Sequence, residues 1–218
     1  MIDEIKIMLP PYKIIYSVLI VLFLPAVRGI SGTDEIGCTM DIVMAVLTMV
    51  MIADTYLVEK REQRWEIISL FSIGSRKRMV YMRLMVEFIY VFLFAATGYF
   101  MFFIWKPDLQ GFRCELLRYL EYLFAVSVSI TFWGVIVLSI ANATGNIWKG
   151  IGAGLVLWLY LLSTFGNKIL GRYNIFAYAL VEADSSVASW IPGKMIGLLI
   201  AGILGIFLLP RTLEFRRD

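Results

Sequence analysis

The chain has 218 residues, of which 60% are hydrophobic and 17% are charged, and its formal net charge is +3. A soluble domain of this length seldom contains so much apolar material, so the composition indicates an all-α, polytopic membrane protein. Because histidine is absent, the sequence excludes histidine metal ligands and catalysis by serine–histidine or cysteine–histidine pairs.

Six apolar segments are long enough to be membrane spans, because a hydrocarbon core of about 30 Å needs roughly 20 helical residues. They cover about residues 11–27, 40–58, 80–105, 120–141, 147–165 and 193–209. Residues 1–8 precede them with a spacing that fits a helix lying on the membrane surface, and a frayed terminus is the alternative. We therefore expect one transmembrane domain over residues 1–218.

A charged segment, residues 59–83, separates the second and third spans. A connection rich in lysine and arginine belongs on the cytoplasmic side of a membrane. Its apolar residues recur at helical spacing, and they are Trp65, Ile67, Ile68, Leu70 and Phe71. Another face carries acids and a serine: Glu59, Glu62, Glu66 and Ser69. The pattern predicts an amphipathic cytoplasmic helix over about residues 60–75, with one face free to bind a soluble partner.

The distribution of basic residues predicts the orientation of the spans. With the N-terminus in the cytoplasm, 13 lysines and arginines lie inside and 7 lie outside, including Lys194. Both termini are then cytoplasmic, and the connections 28–39, 106–119 and 166–192 are external. Aromatic residues in the last connection favour the headgroup layer, so we expect a re-entrant or interfacial helix over about 170–192. Since the basic residues follow this topology, the net charge does not indicate a nucleic-acid partner.

Ionisable residues inside membrane spans are costly, so they are functional candidates unless an ordinary role explains them. Asp54 lies near the inner end of the second span, and Glu87 lies near the start of the third. The i−4 spacing favours an ion pair of Glu87 with Arg83, and Asp54 fits a position at headgroup depth. Asp41 falls at the start of the second span, where the helix dipole stabilises an acid.

Small residues recur at every fourth position in the last two spans. They are Gly150 and Gly154 in the fifth span, and Gly193, Gly197, Ala201 and Gly205 in the sixth. Such faces let helices approach closely, either within the chain or between protomers.

The sequence contains no motif for binding a nucleotide or a metal. It has neither a G-x-x-x-x-G-K-[ST] loop nor an H-E-x-x-H pair, so we expect no catalytic, cofactor or metal site in this chain. Cys38 and Cys114 both fall on the predicted outer side, where a disulfide is possible but two separate thiols are expected.

One stretch resembles a known family. Residues 62–70 read EQRWEIISL, and residues 74–80 read GSRKRMV and lead into the third span. This arrangement after two spans is similar to the permease subunit of a type-two ATP-binding-cassette exporter. Members of that family typically carry Leu-Pro-Ile-Ser-Arg-Lys at this turn, whereas this chain has IGSRK over residues 73–77 and lacks the proline.

The resemblance implies a partner subunit that hydrolyses ATP with magnesium, and a second permease copy or a paralogue in the same complex. It identifies the helix at about 60–75 as a coupling helix. The implied contacts with the ATPase subunit are Glu62, Trp65, Glu66, Ser69 and Leu70. The implied substrate path includes Tyr16, Phe23, Met44 and Met51.

The small permeases of this class resemble exporters of amphipathic or antimicrobial-type peptides, such as phenol-soluble modulins, in the bacterial plasma membrane. Two alternatives stay open, because the sequence contains no ATPase of its own. One is an integral membrane enzyme or a channel-like subunit, and the other is a scaffold that anchors a soluble protein. ATPase activity that copurifies with the chain would separate the exporter from both.

Overall fold

The computed structural model describes residues 8–28, 33–57, 73–105, 112–180 and 189–208, and every regular element in these ranges is helical. The α-helices are α1 (Pro11–Arg28), α2 (Thr33–Ile52), α3 (Ile73–Trp105), α4 (Phe112–Thr144), α5 (Ile147–Leu162), α6 (Thr164–Leu170), α7 (Ala177–Leu180) and α8 (Ile191–Ile203). A 3₁₀ turn, Gly171–Tyr173, follows α6, and a π-helical turn, Leu204–Leu208, continues α8. The predicted all-helical fold is confirmed over the described residues.

Three helices are long and apolar enough to cross a membrane. The segments are Glu35–Ile52 in α2, Lys77–Ile104 in α3 and Leu116–Thr144 in α4. A fourth span results if α5 and the segment Thr164–Tyr173 are counted together across the bend of 71° between them. Two shorter apolar helices are Pro11–Leu22 and Ile191–Phe207. The described helices are therefore compatible with a membrane protein, and the count of six spans stays a prediction.

Three helices begin well before the apolar segments that predict them. α2 begins at Thr33, α3 at Ile73 and α4 at Phe112. The predicted connections 28–39 and 106–119 are therefore wrong in their extent, because each contains the start of a helix. α3 and α4 each have 33 residues, or about 50 Å of helix, which exceeds a hydrocarbon core of about 30 Å. Helices of this length continue through charged sequence that apolar composition does not reveal.

α2 and α4 form the centre of the bundle and share its most extensive interface. α3 packs against both, α5 and α8 pack against α4, and α1 packs against α3 and α2. Met40, Met44 and Met51 of α2 are at most 1% exposed and fill the space between α2, α3 and α4. Next to this core, Trp133 of α4 is fully buried and stacks on Phe176, which lies just before α7.

The turn between α4 and α5 is built from Gly145 and Asn146. Gly145 has a φ of 65°, a left-handed conformation that glycine adopts without strain. The side-chain oxygen of Asn146 caps α5 by accepting a bond of 2.9 Å from the backbone amide two residues later. The turn directs α5 back along α4, where Gly150 and Gly154 allow a close approach. A Cβ on Gly150 would lie only 2.7 Å from the Cβ of Ala141.

The chain bends by 71° after α5, and polar groups hold the bend. Ser163 lies at the bend, and its hydroxyl oxygen accepts a bond of 3.0 Å from the Gly166 amide at the start of α6. Asn174 is fully buried, and its side chain donates to the Leu161 carbonyl oxygen at 2.7 Å. The same side chain accepts from the Phe176 amide at 3.1 Å. Residues 174–177 of the connection between α5 and α8 are therefore packed into the bundle.

The small residues of α8 pack against this connection. A Cβ on Gly193 would overlap the carbonyl oxygen of Asn174, and a Cβ on Gly197 would lie 2.5 Å from Cδ1 of Ile175. Ala201, one turn further, is 2% exposed. Of the two explanations for the spaced small residues, packing within the chain is the one that these contacts support.

Several predicted features lie outside the described residues. The coupling helix of about 60–75 falls mostly in residues 58–72, and the surface helix of 1–8 falls mostly in residues 1–7. The predicted ATPase contacts lie in the same undescribed segment: Glu62, Trp65, Glu66, Ser69 and Leu70. The side chains of Phe23 and Cys114 are also outside the description.

Candidate functional site

Lys13 lies in the first turn of α1, and its side chain extends into the bundle, with 3% of its surface exposed. Its Nζ donates to the Met51 carbonyl oxygen at 2.9 Å and to Oδ1 of Asp54 at 2.7 Å. A longer contact of 3.4 Å joins Nζ to Oε1 of Glu87. These three acceptors match the three N–H donors of an ammonium group. Lys13, Asp54, Glu87 and Thr55 are referred to below as the Lys13 cluster.

The Lys13 cluster joins three helices at one end of the bundle. Lys13 comes from α1, Asp54 and Thr55 come from the turn that follows α2, and Glu87 comes from α3. Glu87 is completely buried, whereas the Asp54 side chain is 17% exposed. Asp54 is therefore the carboxyl group of the pair that retains contact with the surface.

Thr55 gives Glu87 a second partner. Its Oγ1 lies 2.5 Å from Oε2 of Glu87 and 2.7 Å from the carbonyl oxygen of Ile52. Beside this contact, the Tyr16 hydroxyl donates to Sδ of Met51 at 3.0 Å. Both oxygens of the Glu87 carboxyl thus have partners from other parts of the bundle.

Charged groups in a buried site are costly unless they are paired and hydrogen-bonded. Removal of one partner from such a cluster leaves an uncompensated charge, at a cost of about 3–5 kcal/mol. The Lys13 cluster therefore favours one arrangement of α1, α2 and α3. Within the described ranges, no group of three or more His, Cys, Asp or Glu side chains is placed to hold a metal ion. The two carboxyl groups here face an ammonium group instead.

Sequence reasoning identifies Asp54 and Glu87 as intramembrane charges, and the structure brings both to the same ammonium group. It adds two partners of Glu87 that the sequence does not predict, because its carboxyl oxygens contact Lys13 and Thr55. The predicted ion pair of Glu87 with Arg83 stays a prediction. Spacing along one helix cannot reveal a contact between residues 74 positions apart. The sequence feature that could have indicated this contact is Lys13 itself, because a cation in the first turn of an apolar helix needs an anionic partner if it is buried.

A second lysine, Lys194 in the first turn of α8, is completely buried. Its Nζ donates to Oδ2 of Asp41 and to Oγ of Ser129, each at 2.7 Å. Asp41 belongs to α2 and Ser129 to α4, so this Lys194 cluster of three residues joins α8 to both central helices. The second oxygen of Asp41, Oδ1, is also buried, and no partner is found for it among the described residues.

One sequence prediction is wrong at the Lys194 cluster. Asp41 is expected at the N-terminus of a span, but α2 begins at Thr33 and Asp41 lies two turns inside the helix. Lys194 is counted among the external basic residues at the start of the sixth span, and the structure adds that it is buried against Asp41. The predicted topology counts Lys13 as cytoplasmic and Lys194 as external. Leaving these two buried lysines out of the count therefore does not change the difference between the numbers of cytoplasmic and external basic residues.

The residues predicted for a substrate path are partly brought together. Tyr16 and Met51 are in direct contact, as described above. Met44 and Met51 are 0% exposed and belong to the core between α2, α3 and α4. A substrate would reach these two methionines only after the helices separate.

An aromatic cluster lies at the opposite end of α2 from the Lys13 cluster. Tyr99 of α3 and Tyr122 of α4 stack with ring centres 4.8 Å apart. A Cβ on Gly37 would lie 2.9 Å from the hydroxyl of Tyr178 and would also contact the rings of Tyr99 and Tyr122. The three tyrosines therefore pack directly against α2 at this position. Cys38 carries a thiol there, and its Sγ donates to the Tyr178 carbonyl oxygen at 3.5 Å.

Comparisons with models of known protein families, with curated proteins and with solved structures found no match. Inference about function therefore starts from the residues and the geometry described above. The Lys13 cluster is the strongest candidate site, because it concentrates buried charge next to the predicted partner-binding segment.

Proposed function

We propose that this chain is the membrane-spanning subunit of an ATP-driven exporter in the plasma membrane of a bacterial cell. A separate subunit would bind ATP and magnesium and dock on residues 58–72, between α2 and α3. Support comes from the position of the Lys13 cluster, which lies close to the point where the chain enters this segment and includes Glu87 of the helix that follows it. Asp54 lies four residues before the segment, and α3 begins directly after it.

The Lys13 cluster gives this docking segment a mechanical connection to the membrane helices. A partner that closes on ATP would displace the segment and, with it, the turn containing Asp54 and the start of α3. Because the Lys13 ammonium group contacts both Asp54 and Glu87, α1 would follow the same displacement. The three helices would then move together relative to α4.

The proposed assembly contains two such chains, or this chain and a paralogue, with six spans each and both termini in the cytoplasm. The core between α2, α3 and α4 is filled by aliphatic, methionine and aromatic side chains. A path for a peptide therefore fits better between two copies than inside one, which also agrees with the symmetry preference of oligomers. Apolar walls would suit amphipathic or antimicrobial-type peptides better than hydrophilic substrates.

Copurification from the native membrane tests this proposal. We expect tagged chain extracted in mild detergent to retain a second protein that hydrolyses ATP with magnesium. Trp65→Ala should lower this retained activity, since an interfacial tryptophan contributes about 2 kcal/mol or more to association. Trp148→Ala is the matched control, because Trp148 is 72% exposed at the start of α5, next to the short turn after α4 that is also predicted to be cytoplasmic.

The alternatives predict a different result from the same experiment. A channel-like subunit, a membrane enzyme or a scaffold would purify intact without ATP hydrolysis. Retention of the full ATPase activity by Trp65→Ala would likewise contradict docking through the predicted coupling helix.

A further inference from the structure

We propose that the outer face of α3 binds the acyl chain of an anionic phospholipid, whose headgroup is held by Arg78. The site is a groove of about 780 Å³ that follows α3 from Arg78 to Leu93 and includes Leu9, just before α1. It is referred to below as the α3 groove. The proposal requires that the chain inserts into a membrane, and it does not require that the chain takes part in export.

The α3 groove has the length and the lining that an acyl chain needs. Arg78 and Leu93 are 15 residues apart, which is about 22 Å of helix, whereas one leaflet of a hydrocarbon core is about 15 Å deep. Between these two residues the lining is apolar or aromatic, and it includes Met85 and Ile89, which are 61% and 51% exposed. An extended chain that starts at Arg78 can therefore lie against α3 through the depth of one leaflet.

Packing within the bundle fixes the shape of the α3 groove. Leu9 and Tyr90 line the groove, and both also pack against the core between α2, α3 and α4. Near the Arg78 end, the Tyr81 hydroxyl group donates to the Gly205 carbonyl oxygen at 2.9 Å, which joins α3 to the turn that continues α8. A preformed groove binds its ligand with a smaller loss of conformational entropy than a face that has to rearrange.

Arg78 determines which lipid fits. It is the charged member of the nine described residues that line the α3 groove, and its side chain is exposed. It also ends a run of three basic residues, 76–78. The predicted topology places this end of α3 at the cytoplasmic leaflet, which contains anionic lipids. Because a guanidinium group binds phosphate oxygens in a bidentate geometry and the run adds positive charge, a headgroup with a net negative charge is favoured over a zwitterionic one.

Thermal unfolding of the full chain in detergent measures the binding, because a ligand of the folded state raises the melting temperature. Phosphatidylglycerol at ten times its dissociation constant should raise the melting temperature by about 3–6 °C. Phosphatidylcholine with the same acyl chains should bind about fivefold more weakly, since it lacks the net negative charge. Inorganic phosphate should have no effect, because it has no acyl chain.

Two pairs of variants separate the headgroup from the acyl chain. Arg78→Gln should weaken the binding of phosphatidylglycerol about fivefold and remove its preference over phosphatidylcholine. Lys149→Gln, which removes an exposed cation near the start of α5, should change neither. Ile89→Trp fills the groove and should abolish stabilisation by both lipids. Ile104→Trp is its control, because Ile104 is 64% exposed on α3 beyond the α3 groove.

Equal stabilisation of the unmodified protein by the two lipids would overturn the proposal, and so would an effect of inorganic phosphate equal to that of phosphatidylglycerol. Equal losses in Arg78→Gln and Lys149→Gln, or full lipid stabilisation of Ile89→Trp, would also overturn it. A change in the mass of the solubilised particle in Ile89→Trp but not in Ile104→Trp would assign the groove to a second copy of the chain instead.

Photochemical labelling decides the question if Ile89→Trp does not yield folded protein. Phosphatidylglycerol with a photoreactive group in its acyl chain should label the unmodified protein within residues 81–93. Labelling confined to other helices would overturn the proposal.

Discussion

Lys194 of α8 and Asp41 of α2 are 153 positions apart in the sequence, yet their charged groups meet at 2.7 Å with both side chains completely buried. An ion pair of this kind gains little net stability over a well-packed apolar pair, but each partner alone is a costly buried charge. Its value lies in allowing only one position of α8 against the two central helices.

Replacement of Lys194 by methionine should therefore be strongly destabilising. The change leaves Asp41 as an unpaired buried carboxyl group, and we expect a loss of about 3–5 kcal/mol. Thermal unfolding in detergent measures this loss. The double variant Lys194→Met with Asp41→Leu should recover most of it, since no ionisable side chain of the cluster remains and Ser129 is its one polar residue. Lys168→Met, at an exposed position of α6, should behave like the unmodified protein. A double variant no more stable than the single one would contradict the ion-pair explanation.

Replacement of Lys13 by methionine should separate α1 from the movements of α2 and α3. If the chain is an exporter subunit, ATP hydrolysis by the bound partner should continue while transport falls, because α1 no longer contacts Asp54 and Glu87. Reconstituted vesicles allow both rates to be measured on one sample. Lys149→Met is the control, because Lys149 is exposed near the start of α5. Equal losses of hydrolysis and transport would indicate a general folding defect and not a loss of coupling.

The glycines of α8 offer a matched test of packing inside the chain. Gly193→Ala should lower the melting temperature, because the added Cβ meets the backbone carbonyl of Asn174 and cannot be relieved by a side-chain rotation. Gly202→Ala should be neutral or stabilising by up to about 1 kcal/mol, since a Cβ there meets nothing within 4 Å and alanine favours helix. Equal effects of the two substitutions would show that Gly193 is not tightly packed in the folded protein.

The topology predicted from the basic residues can be tested with reporter fusions. A fusion after Lys77 should report a cytoplasmic location, and a fusion after Asn167 should report an external one. A fusion after Gly145 should also be cytoplasmic, because it lies in the short turn between α4 and α5. An external signal after Lys77 would contradict both the orientation and the docking of a soluble ATPase at residues 58–72.

The sequence predicts local features of this protein, such as apolar segments, but not the contacts between residues that are distant in the chain. Apolar segments identify the helices, since hydropathy is a local property, but they misplace the starts of α2, α3 and α4 where helix continues through polar residues. Asp54 and Glu87 are found because a carboxyl group inside a span is unusual. Their shared partner Lys13 is missed, because the contact depends on how three helices pack. The contact between Asp41 and Lys194 is missed for the same reason.

The separation of Asp41 and Lys194 along the chain has a consequence for biosynthesis. A ribosome makes α2 long before α8, so if the chain inserts into a membrane as we propose, Asp41 enters it while the lysine that will pair with it has not yet been synthesised. During that interval the helix must keep its acid protonated, hydrated or shielded by the insertion machinery. Arrival of α8 ends the interval, so commitment to the native bundle comes late. A nascent chain that stops before α8 would present an unsatisfied acid, which is a feature that membrane quality control could recognise.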